Sequence, residues 1–131
     1  MNVVKLFGGL GNQMFQYAFG NIMKSNGVEV FYDESWFALL MQKGDFSRVL
    51  GLDKLQTTNL IFHALIKGNR LIQENKVEHS KNLLKLKDCN FNGYWQYLDY
   101  YERFIPMLQQ EFKVLSNLYT EEFLKYKKLI E

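Results

Sequence analysis

The run Gly8-Gly9-Leu10-Gly11-Asn12-Gln13 carries the residue types of a turn that holds an anion or a sugar. Glycine lets a backbone approach a ligand closely, and a helix that begins there points its first unbonded N–H groups outward. Asn12 and Gln13 add two carboxamides, each able to donate and accept, which suits phosphate oxygens or sugar hydroxyls. Two other uses fit the same spacing. The glycines can serve a tight turn alone. Alternatively, Gly9-x-Gly11 opens a dinucleotide site, with Asp33 placed where a ribose-binding carboxylate would stand. Met14 occupies the position of that fingerprint's third glycine, and its side chain would hold helix and strand apart. On spacing alone, the phosphate-sugar and dinucleotide readings are evenly matched.

Elements that could position this turn are legible on both sides of it. Val3 to Phe7 is β-branched and aromatic, as a buried strand requires. From Asn12 to Ser25, Met14, Phe15, Ala18, Phe19, Ile22 and Met23 recur at steps of three and four, a helical stripe. Gly27 is placed to stop the helix, and Val28 to Tyr32 reads as a second strand. Strand, glycine turn, helix and strand predict a βαβ unit with a parallel sheet and a right-handed crossover. Between Ser35 and Lys87 the pattern blurs. Trp36 to Met41 is a short apolar run, Leu60 to Ile66 reads as a helix, and Asn82 to Lys87 as a strand or extended loop. Phe91 to Gln96 is strand-like around Gly93. Tyr97 to Phe112 then has helical spacing, with a kink or restart at Pro106, and Thr120 caps a last helix.

Composition narrows the classes. An apolar fraction of 47%, an aromatic fraction of 16% and a single proline argue for a packed core in one domain, or in part of one. Its eleven Phe and eight Tyr can build that core or line a cleft for sugars, with core the default for any one ring. A net charge of +2 with dispersed Lys and Arg gives no electrostatic case for nucleic acid. The lone Cys89 leaves no internal disulfide, suits a reducing compartment and has no neighbouring base. His63 and His79 lack partners at ligand spacing, so no metal is expected. No apolar run approaches the ~20 residues of a membrane span, and the amino terminus lacks a secretory pattern. The expected location is cytoplasmic, with peripheral association at the inner membrane face left open.

GGLGNQMFQYAFG, residues 8 to 20, resembles the opening signature of glycosyltransferase family 11, the α-1,2-fucosyltransferases. FNGYWQYLDYYE, residues 91 to 102, resembles that family's Gly-Tyr-Trp/Phe-Gln element and the aromatic helix behind it. Asp33-Glu34-Ser35-Trp36-Phe37 is similar to its acidic-then-aromatic stretch after the second strand. The resemblance implies a Rossmann-like α/β domain, the amino-terminal part of a GT-B-like enzyme. It implies inverting transfer of L-fucose from GDP-fucose to the 2-hydroxyl of a galactoside, without a metal or other cofactor. The absence of any Asp-x-Asp motif agrees with that.

By position, the resemblance assigns donor contacts to Gly8, Gly9, Gly11, Asn12 and Gln13. It gives Tyr94 a ring-stacking role and Gln96 a sugar hydroxyl, with core packing the competing role for Tyr94 and Trp95. The general base stays unassigned, Asp33 and Glu34 being candidates by position only. The family's His-x-Arg-Arg-Gly-Asp segment is not in these 131 residues. The expectation is therefore a single incomplete domain over residues 1–131, lacking the carboxy-terminal nucleotide-sugar domain, inactive alone and prone to self-association through exposed edges. The competing expectations are a small nucleotide- or dinucleotide-binding module and a non-catalytic interaction domain with an aromatic surface.

Overall fold

The structure, a computed structural model, describes residues 1–44 and 69–106. Four strands form one parallel sheet: β1 (Asn2–Lys5), β2 (Val30–Asp33), β3 (Arg70–Gln73) and β4 (Cys89–Asn92), in the order β2-β1-β4-β3. Helix α1 (Leu10–Ser25) joins β1 to β2, so the expected parallel βαβ unit is present. Asn26 and Gly27 close α1, Gly27 at φ 85° with its N–H on the Lys24 carbonyl. Helix α2 (Ser35–Gln42) follows β2 directly and absorbs the Trp36 to Met41 apolar run.

The α1 stripe packs onto one face of the sheet. Met14, Phe15, Ala18, Phe19, Ile22 and Met23 are all buried, against Val4, Leu6, Val30, Tyr32 and Phe91 from the strands. Aromatic stacking fills the centre, with Phe19 on Trp95 at 4.5 Å between centroids and Tyr17 on Tyr32 at 5.3 Å. Large side chains buried in this way contribute about 1.5–3 kcal/mol each. Tyr32 donates its hydroxyl to the Tyr17 carbonyl at 2.8 Å, so its one polar atom is satisfied inside the core.

Asn2 fixes how β1 meets β4. Fully buried, it donates to the Leu86 carbonyl at 2.7 Å and accepts the Cys89 N–H at 3.1 Å. The Met1 ammonium adds an exposed contact to Asp88 at 2.8 Å, which holds that carboxyl below its ordinary range.

Three expectations differ from what is observed. The strand expected to reach Gln96 ends at Asn92, because Trp95 takes a left-handed φ of 58°, which no strand accommodates. The expected helix from Tyr97 begins instead as two 3-10 turns, Leu98–Tyr100 and Glu102–Phe104. Tyr100 closes the first of these turns and Tyr101 separates it from the second, and both rings are buried. Lys81–Lys85 is a 3-10 helix capped by Ser80, in place of the strand or extended loop expected over Asn82 to Lys87. The helix expected at Leu60 to Ile66, the part of the Tyr97 helix beyond Pro106 and the helix capped by Thr120 lie outside the described residues. Among the described residues no helix is long and apolar enough to cross a membrane.

Candidate functional site

All four strands run the same way, so their carboxyl ends share one edge. At its middle, β1 and β4 are neighbours while β2 lies beyond β1 and β3 beyond β4. In open parallel sheets, ligands bind in the crevice where the strand order reverses in this way. The glycine turn leaves β1 at this place, and residues 93–97 leave β4 beside it.

The turn is built to expose some backbone and bury the rest. Gly8 has φ 84°, and a Cβ there would lie 2.7 Å from Asn12 Nδ2, so only glycine leaves the Asn12 side chain in place. Gly9 is extended and precedes α1, and Gln13 N–H returns to the Gly9 carbonyl at 3.1 Å. The first turn of α1 carries no carboxylate, so nothing there opposes an anion. Gly8, Gly9, Leu10 and Asn12 are half-buried, whereas Gly11 and Gln13 are buried.

The two carboxamides divide. Gln13 turns inward and donates to the Gly8 carbonyl at 3.1 Å, which makes it part of the turn itself. Asn12 stays at the surface, where its Oδ1 accepts from Gln96 Nε2 at 2.6 Å. Residues 84 positions apart in sequence therefore form one exposed amide pair. Asn12 Nδ2 and Gln96 Oε1 make no further hydrogen bond among the described residues, which leaves the Nδ2 protons and the Oε1 lone pairs for a ligand.

Two residues that sequence reading passed over hold this pair in place. Gln16, fully buried, accepts from the Phe7 N–H at 3.0 Å and donates to the Gly93 carbonyl at 3.1 Å, tying one segment to the other. Its signal was a carboxamide inside an otherwise apolar helical run. Glu74, just after β3, accepts from the Tyr94 N–H at 2.9 Å and the Trp95 N–H at 3.0 Å, one through each carboxylate oxygen. A Cβ on Gly93 would sit 2.4 Å from Glu74 Cβ, so the bare glycine is what lets Glu74 in. No local pattern marks Glu74, because its partners are some twenty residues away. The bracket lets Trp95 turn in at 0% exposure while Tyr94 and Gln96 point out.

Behind the bracket, His79 Nε2 lies 3.4 Å from Glu74 Oε2, and its Nδ1 is 2.9 Å from the Tyr100 hydroxyl. That hydroxyl also accepts the Ser80 N–H at 3.1 Å, so the Glu74 carboxylate, the imidazole and the phenol form one chain of polar contacts. Tyr97 stacks on His79 at 4.6 Å. Burial raises the pKa of Tyr100 above the ordinary phenol value and that of Tyr101 well above it; the Asp99 hydrogen bond raises that of Tyr97. Tyr101 donates to the Trp95 and Phe15 carbonyls from inside the core.

The position-only base candidates make no hydrogen bond to the amide pair among the described residues. Asp33 is 2% exposed and its Oδ1 accepts the Ser35 N–H at 2.9 Å, which starts α2, while Glu34 is exposed. Cys89 is buried. Among the described residues no group of His, Cys, Asp or Glu is arranged to hold a metal ion. Neither family models, curated proteins nor solved structures match this chain.

Proposed function

We propose that residues 1–131 belong to an inverting α-1,2-fucosyltransferase and supply the sugar-facing half of its site. The observation that carries this reading is the 2.6 Å Asn12–Gln96 pair. The two segments that resemble the family are far apart in sequence, and a shared site requires them to meet in space. They meet at the carboxyl edge of β1 and β4, with the Asn12 and Gln96 side chains paired at the surface. A donor, an acceptor and the amides of a helix start can hold a sugar hydroxyl beside a diphosphate. Positive charge to stabilise departing GDP would come from the family's arginine segment, so these residues bind and orient sugar without completing transfer.

Met14 and Asp33 weigh against a dinucleotide. Met14 is fully buried in the α1–sheet core, filling the space that the close-packing glycine of that fingerprint keeps clear. Asp33 spends its carboxylate on the start of α2. The GT-B architecture is part of this proposal.

Saturation-transfer NMR with GDP-fucose, GDP and NAD tests it. GDP-fucose should give fucose proton signals that fall at least fivefold in Asn12→Ala. Binding of NAD with none of GDP-fucose would refute the reading, as would fucose signals indifferent to Asn12.

A further inference from the structure

A concavity lies away from the amide pair, where the end of α1 meets the 3-10 helix Lys81–Lys85 and the turns after Tyr97. Its volume is about 180 Å3. Asn26 at its edge and Asn12 at the amide pair stand at opposite ends of α1, about 20 Å apart along a helix of that length. Ile22, Leu84 and Tyr100, all buried, and half-buried Phe104 give the cavity an apolar wall. The Tyr100 ring is fixed there, because its hydroxyl is held by the Ser80 N–H and His79 Nδ1. Lys81, Lys85 and Arg103 bring three exposed cations to the same cavity. Among the described residues none of the three is ion-paired. Asp99, also in the lining, is already engaged by the Tyr97 hydroxyl.

We infer that this cavity binds a small organic anion, with a carboxylate or phosphate head on an apolar body about the size of one ring. Lys and Arg are dispersed along the chain, yet three of them meet at one hollow. Apolar walls beside charges of one sign focus their field and raise the local concentration of an anion. Arg103 offers a planar fork that suits two oxygens of one head, and the lysines add point charges. The size of the hollow limits the rest of the ligand. Benzene fills an apolar cavity of about 150 Å3, so one of about 180 Å3 takes a ring and little more. Tyr100 and Phe104 give that ring aromatic neighbours. A bare phosphate would leave the apolar wall wet, and a neutral ring would leave the cations unused. The site does not depend on what occupies the carboxyl edge, so it goes beyond the transfer reading.

A 15N-resolved titration with benzoate and phenyl phosphate tests this, with inorganic phosphate and benzyl alcohol as the head and the body alone. Both ring-bearing anions should give saturable shifts at the amides of Ile22, Asn26, Lys85 and Arg103. They should bind about fivefold tighter, or more, than either part. Whichever of the two binds tighter identifies the head as carboxylate or phosphate. Arg103→Gln and Lys85→Gln, both at exposed side chains, should each weaken binding by about five- to tenfold. Lys87→Gln, exposed but outside the lining, should leave it unchanged. Added salt should weaken it. Inorganic phosphate matching phenyl phosphate would reduce the cluster to a patch of surface charge. Benzyl alcohol matching benzoate would reduce the cavity to an apolar hole. Either result overturns the proposal, as do shifts confined to other residues or indifference to both glutamine variants.

Discussion

Glu74 sets the geometry of the site without facing it. Its two oxygens hold the Tyr94 and Trp95 amides at 2.9 and 3.0 Å, and the Trp95 backbone, at a φ of 58°, is held by this bracket, by the packing of its indole and by the Tyr101 hydroxyl on its carbonyl. Glu74→Ala would leave both amides without an acceptor and cost about 2–3 kcal/mol, since hydrogen bonds to charged groups lie at the strong end of the range. Glu74→Gln keeps one carbonyl acceptor and should cost less. Chemical denaturation ranks the variants, and amide exchange at Tyr94 and Trp95 localises the damage. Equal exchange protection in wild type and Glu74→Ala would remove the bracket from the account.

At the scale of elements, the crossing of β1 and β4 depends on one buried carboxamide. Asn2 reaches the Leu86 carbonyl and the Cys89 N–H together, so it sets where β4 begins relative to β1. Asn2→Leu, close in volume, should lower stability by about 2–4 kcal/mol, because two buried backbone groups lose their partners. Urea unfolding would show this as a lower midpoint with an unchanged slope. An unchanged midpoint would mean that packing alone positions β4. Periodicity made α1 and its two flanking strands legible, since the stripe from Met14 to Met23 and the Gly27 stop are local signals. It could not reveal β3, four residues beginning with Arg70 and an exposed Leu71, whose strand character comes from pairing with β4. The site divided likewise. Gly8 and Asn12 were readable as types in a turn, but the inward rotation of Gln13 and the outward one of Tyr94 are set by tertiary contacts with Gly8 and Glu74.

Across the whole molecule, the core is aromatic enough to make alkaline pH a probe of the fold. Burial holds the Tyr101 phenol well above its ordinary value and Tyr100 above it, Tyr101 being bonded to two backbone carbonyls. In the unfolded chain these groups ionise near pH ~10. Stability from them is therefore complete below that pH. It declines as pH rises from there towards the folded values, because the unfolded state releases its protons first. Circular dichroism and tyrosinate absorbance should change together above pH ~10, and Tyr101→Phe should flatten the loss of stability with pH. An unaltered pH slope in that variant would contradict the assignment. The same sheet has β2 and β3 as its outermost strands among the described residues, which puts the β1–β4 crevice at its centre.

The account turns on whether the amide pair at that crevice meets a sugar. A 15N-resolved titration with GDP-fucose observes the Asn12 and Gln96 side-chain NH2 groups directly, together with the backbone amides of residues 8–13. The expected result is saturable shifts at both side chains and at that turn, with the Gln13 side chain moving least. Shifts confined to other parts of the protein, or none at saturating donor, would contradict the central claim.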